Sequence, residues 1–234
     1  MPEPVTFQGF GGKALPFLKA LGFHQDRHWF AENKALYESE IRQPLGDLVE
    51  AASARFEQAG LPFRGSRKTS LFRIHRDVRF SKNKDPYNTH VSGLMSRTGT
   101  KKDNGFIYFH IANESSFLAA GFHQLGSEEL HAFRRRIIGH GDDWRAVIAA
   151  LAARADTLDT DGNLKRMPRG MDDAPEDLRP FMLYRSFVFS RGLDDALVTS
   201  PKLVDAIVEI GRAAMPLAEF GWRALDPLRE GPTA

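Results

Sequence analysis

The chain contains no cysteine. That excludes disulfides, a thiolate nucleophile and cysteine-based zinc sites, and it fits a reducing compartment. No apolar run approaches the ~18 residues of a membrane-spanning helix. The N-terminal Met1-Pro2-Glu3-Pro4-Val5-Thr6-Phe7 lacks the basic start and apolar run of a signal peptide. A cytoplasmic protein with no membrane partner is therefore expected. Also missing are the G-x-x-x-x-G-K-[ST] phosphate loop and the G-x-G-x-x-G turn after a strand. There is no G-x-S-x-G nucleophile elbow, and no His pair with a Glu in zincin spacing. His24 and His28 are four apart, but without that glutamate they read as surface or partly packed residues. No metal and no other cofactor is expected. The clustered carboxylates of a two-metal phosphatase are lacking as well. No repeat or low-complexity segment stands out.

What is present suits a globular protein. Hydrophobic residues make up 42% and charged residues 26% of 234 positions, enough for a substantial core in one large domain or two small ones. Leu15, Leu18 and Leu21 predict a first helix between Gly11 and Gly22. Asp26 is placed to cap a second, with Trp29, Phe30, Leu36 and Tyr37 on its apolar side. Pro44 should break or kink the chain near Arg42, and a third helix runs from Leu45 to Gln58. Strands are expected over Ser70–Phe80, Thr89–Arg97, Gly105–Ala112, Ser116–Phe122 and Tyr184–Ser190. Their short links, rich in turn formers, favour an antiparallel meander. Helices follow at Ser127–His140, Asp142–Ala155 and from Pro175, and a long one starts at Ser200-Pro201. This order predicts an α+β fold, an antiparallel sheet of four or more strands flanked by helices from both ends of the chain. It is read as a single domain, 1–234. Its parts are helices over 11–60, a central sheet over 70–122, helices over 127–155, and a turn, strand and long helix over 156–228.

The stretch from Leu71 to Ile111 organises the rest. Phe72, Ile74, Val78 and Phe80 alternate with Arg73, His75, Asp77 and Arg79, a strand with one apolar and one charged face. Ile74 and Val78 are also four apart, the spacing of a short helix. Arg76 falls in the apolar set, so it is either buried and paired or marks a bulge. Between Arg64 and Asp103 stand eleven Lys or Arg and three Asp, a balance of +8 in a chain of net +2, so the remainder sums to −6. Charge so concentrated favours an anion, although charge runs are usually solvated faces. Phe72, Phe80, Tyr87, Tyr108 and Phe109 interleave with the cations and strengthen the reading of a site. On the strand Gly105–Ala112, Ile107, Phe109 and Ile111 read as core. Phe106, Tyr108 and His110 face solvent, a pocket or a helix.

The string Arg73-Ile74-His75-Arg76-Asp77-Val78-Arg79-Phe80-Ser81-Lys82-Asn83-Lys84-Asp85-Pro86-Tyr87, with Thr89 and His90, resembles the signature of the "domain of unknown function 2461" family. Asn83, Asp85 and Asn88 stand where an acid, a Thr and a Lys are commoner. Tyr108-Phe109-His110-Ile111, Ser116-Phe117, Leu164 to Gly170 and Ser186-Phe187-Val188 are similar to further family elements, and Asp26-Arg27-His28-Trp29-Phe30 to its N-terminal one. Ala119 and Ala120 replace the usual glycines. The resemblance runs from about Phe7 to Leu225. It implies a single domain and a functional region, and it brings no enzyme class with it.

Two functions fit these residues. In the first, a binding module, Arg73, Arg76, Arg79, Lys82 and Lys84 grip an anionic small molecule, with Ser81, Tyr87, His90 and Tyr108 beside them. Nucleic acid is a subcase, weakened by the −6 elsewhere. In the second, an enzyme, a hydrolase for instance, the same cations stabilise developing charge while His110 or Asp77 moves a proton. A lone strand histidine is more often part of a structural network, and the missing carboxylates favour the binding module. A second basic cluster, Lys165, Arg166 and Arg169, also follows the family pattern. The Pro168-Arg169-Gly170 turn is expected to bring Arg169 over the basic face, into one anion pocket with Tyr87, Tyr108 and His110.

Overall fold

The computed structural model describes residues 5–230, so the Met1 to Pro4 part of the N-terminal stretch lies outside the described residues. Helices α1 (Ala14–Phe23), α2 (Arg27–Glu32), α3 (Lys34–Tyr37) and α4 (Gln43–Gln58) come first. Strands β1 (His90–Ser96), β2 (Phe106–Ala112) and β3 (Phe117–Phe122) follow, then α5 (Ser127–Gly139) and α6 (Gly141–Ala152). A 3-10 turn at Glu176–Leu183, β4 (Phe187–Gly192), α7 (Asp195–Val198) and α8 (Leu203–Glu230) complete the order. The four strands form one antiparallel sheet in the order β1-β2-β3-β4, with helices before and after it. The fold is α+β.

Local chemistry explains the helix ends. The Asp26 carboxylate accepts from the His28 and Trp29 amides at 2.8 and 2.9 Å and caps α2. Pro44 sits in the first turn of α4, where its missing N–H costs nothing. The disturbance falls just before it, as a π-helical turn at Glu38–Arg42. Gly60, at φ +66°, ends α4 with the Leu61 amide returning to the Phe56 carbonyl at 2.9 Å.

The chain clusters into two compact units. The first holds residues 5–103, Ile107–Leu118 and Arg191–Ile210. Its core takes Leu15, Leu18 and Leu21 from α1, Phe30, Leu48 and Phe56, and from β2 the alternate residues Ile107, Phe109 and Ile111. Tyr108 and His110 lie on the other, half-buried face, as the period of two requires. The second unit holds Asn104–Phe106, Ala119–Ser190 and residues 211–230. Its core is aromatic: Phe133 stacks on Phe187 at 4.0 Å, and Trp144 meets Phe133 and Phe187 edge-on at 5.9 and 5.6 Å.

Residues 70–80 do not form the expected strand. The chain touches β1 at the isolated bridge Leu71–Gly93, where the Phe72 amide donates to the Ser92 carbonyl at 3.0 Å. It then leaves β1 and pairs with its own return limb, through His75–Tyr87 and the bonds Arg76 N to Pro86 O and Asn88 N to Ile74 O. Changing partner within five residues interrupts the pleat, so the alternation no longer sets two faces. Ile74 is buried, but Phe72 is 41% exposed and Phe80 96%.

Candidate functional site

The first unit carries a cleft of about 390 Å³ beside β1. Arg73, His75, Arg76 and Asp77 reach it from the outgoing limb, Asn88 from the return limb, and His90 and Ser92 from β1. Phe72 and Tyr108 add aromatic walls. His90 and Ser92 are two apart on one strand and so share a face.

Each charged group here has a definite state. Asp77 accepts from Arg79 at 2.9 and 2.7 Å, and that guanidinium holds its carboxyl below the usual range. Arg76 is half-buried and donates to the Asp85 carbonyl at 3.2 Å, with the Asp85 carboxylate at 4.0 Å. It is hydrogen-bonded but only half-buried, and the strand on which its burial was expected does not form. Arg73 makes no hydrogen bond or ion pair through its guanidinium among the described residues, and it is exposed at the cleft. Ser92 is 4% exposed, lines the cleft, and its hydroxyl has no hydrogen-bond partner among the described residues. The hydroxyl is not among the fully buried polar atoms, so it is open to whatever fills the cleft.

Behind His90 the rings form a column. His90 stacks on His110 at 4.1 Å and His110 on Phe117 at 4.8 Å, one ring from each of β1, β2 and β3. The Tyr108 hydroxyl lies 3.3 Å from His110 Nδ1. Burial lowers the His90 pKa. Burial, with His90 as the smaller cause, lowers that of His110 to about 4. The imidazoles are uncharged near neutral pH.

The expected site residues therefore divide. Arg73, Arg76, Asp77, His90 and Tyr108 meet in the cleft. Arg79 stands beside it, engaged by Asp77. Tyr87 is in the core, stacked on Phe30 at 4.4 Å. Lys84 donates to the Val78 carbonyl at 3.0 Å, within the same excursion as Ser81 and Lys82. His110 lies behind His90 in the ring column. Arg169 belongs to the second unit, in a turn with Gly170 at φ +75°. The sequence did not single out His75, Asn88, Val91 or Ser92, which also line the cleft. The step of two from His90 would have found Ser92, once β1 was known to present His90 to a cleft.

The second unit has its own cleft, about 570 Å³, bordered by Asp156, Asp159 and Asp161. Its acidic wall suits no anion. No group of three or more His, Asp or Glu among the described residues is placed to hold a metal ion. No helix among them is long and apolar enough to cross a membrane.

Fold and cleft together define an α+β protein with a polar, partly basic cleft beside the first strand of its sheet. The chain belongs to the family of the conserved hypothetical protein DUF2461, whose model matches residues 13–220. No curated protein and no solved structure matches it.

Proposed function

We propose that this protein is a binding module for an anionic small molecule bearing phosphate or carboxylate, held in the cleft by Arg73 and Ser92. The observation that carries this reading is a Ser92 hydroxyl that has no hydrogen-bond partner among the described residues, in a cleft that also receives a guanidinium with no ion pair among them. Both are donors, and an anionic oxygen satisfies both. Arg76 adds charge from a fixed position, because its Asp85 contact holds it. Asp77 does not repel the ligand strongly, since Arg79 compensates it. The enzyme reading has less support. The Asp77 carboxylate is engaged and held acidic, and His110 takes up a proton only near pH 4. Both are weak bases at neutral pH.

The test is calorimetry with inorganic phosphate, acetate and sugar phosphates at low and high salt. Binding is expected at low salt and should weaken as salt screens charges beyond ~8 Å. Arg73→Ala should lower affinity about tenfold to hundredfold, the effect of one hydrogen bond to a charged group. If no anion binds the wild type at low salt, the reading fails.

A further inference from the structure

We propose that the ligand is an anion joined to a planar aromatic ring, of which a nucleoside 5'-monophosphate is the simplest form, and that its ring stacks on His90. This rests on the anion reading above and adds the substrate class. The column His90–His110–Phe117 is built of flat rings at 4.1 and 4.8 Å, tilted by 28° and 16°. His90 is its end ring, and it lines the cleft. A fourth planar ring laid on His90 continues the stack in the offset geometry aromatic rings prefer. The column is uncharged near neutral pH, because burial keeps protons off both imidazoles. It therefore offers π surface rather than more positive charge. Tyr108, edge-on to Phe72 at 6.2 Å and 68°, gives the cleft a second aromatic wall.

The polar groups lie where the other end of such a ligand falls. Ser92 is two residues from His90 on the same strand face, about 6.5–7 Å along β1. That is the breadth of a pentose between a base and its 5'-phosphate. Arg73 and Arg76 converge from the adjoining limb. A simple inorganic anion would use Ser92 and Arg73 and leave the ring end of the cleft unfilled.

Calorimetry at low salt should compare adenosine 5'-monophosphate, ribose 5-phosphate and inorganic phosphate on the wild type. The nucleotide should bind roughly tenfold to hundredfold more tightly than ribose 5-phosphate, the usual gain from stacking one base. His90→Ala should remove that gain and leave ribose 5-phosphate binding as it was. His90→Phe, which keeps a flat face, should retain it. His90→Leu, which keeps bulk without the face, decides the matter if the alanine variant does not fold. Equal affinity for the nucleotide and ribose 5-phosphate overturns the stacking proposal and leaves the anion reading standing. Failure of all three ligands overturns both. A nucleobase gain that survives in folded His90→Ala or His90→Leu places the ring elsewhere and overturns the proposal.

Discussion

At the scale of single residues, the same segment holds side chains that the fold needs and side chains that it does not. Arg76 is 26% exposed at its side chain and holds the two limbs of the 73–88 excursion together through the Asp85 carbonyl. Arg76→Ala should destabilise the protein by about 1 kcal/mol, which lowers Tm by roughly 2–4 °C for a chain of this size. Scanning calorimetry reads this directly, and an unchanged melting curve contradicts the tie. Phe80, 96% exposed, buries nothing, so Phe80→Ser should leave Tm where it is. The histidine pair predicts a pH dependence. Both pKa values are lowered in the folded state by burial, so the unfolded chain binds more protons. Their contribution to stability is present above the unfolded value near 6.5 and is lost as pH falls toward the folded value of about 4 for His110. Carboxylates titrate in the lower part of that window, so the comparison must be with a variant. Urea unfolding of wild type and His110→Phe across this range should show the wild type losing more stability on acidification. Parallel curves would contradict the assignment.

Elements show where pattern rules hold and where they stop. β2 obeys the period of two throughout, with Ile107, Phe109 and Ile111 buried and Tyr108 and His110 half-buried. Its neighbour β1 carries Gly93 opposite Phe109, and a Cβ there would overlap the aromatic ring. The ring lies over the glycine and covers the backbone that a side chain would otherwise shield. Gly93→Ala should therefore cost about 1–3 kcal/mol through overpacking. A double mutant with Phe109→Leu should show coupling, because the smaller side chain relieves the overlap that the methyl creates. Strict additivity in denaturant unfolding would place the ring elsewhere. Residues 70–80 alternate except at Arg76, yet they form only bridges. Alternation predicts faces only where the chain keeps one partner, and here β1 and the return limb compete for the same backbone groups.

At the scale of the whole molecule, charge is partitioned. The +8 segment, 64–103, lies within the first unit, and the acidic cleft lies within the second. Part of the basic charge is spent on structure. Arg67 pairs with Asp47 and Glu50, Arg79 with Asp77, and Lys101 donates to the Leu71 carbonyl at 2.7 Å. Arg73, which lines the cleft, has no such partner among the described residues. A ligand that binds only the folded state stabilises it by mass action, about 2.7 kcal/mol at a hundredfold excess over Kd. Saturating anion at low salt should then raise Tm by roughly 5–10 °C. The shift should vanish in Arg73→Ala and remain in Lys82→Ala, since Lys82 does not line the cleft. Equal loss in both variants would mean diffuse charge rather than a site.

Sequence alone was enough for the features that depend on near neighbours. The helices around Leu15 to Leu21 and after Asp26, the disturbance before Pro44, the two faces of β2 and the α+β order follow from spacing, capping and proline geometry, which act within a few residues. The basic segment was legible as charge, and its family resemblance as a string of residues. Tertiary structure decided which of those residues meet. It set Tyr87 into the core on Phe30, closed Asp77 with Arg79, stacked His90 on His110 and left the Ser92 hydroxyl unpaired at the cleft. Tyr87 and Phe30 are far apart in the chain, as are His90 and Phe117. Contacts of that kind depend on how the 73–88 excursion folds back past β1, and no local pattern encodes that path.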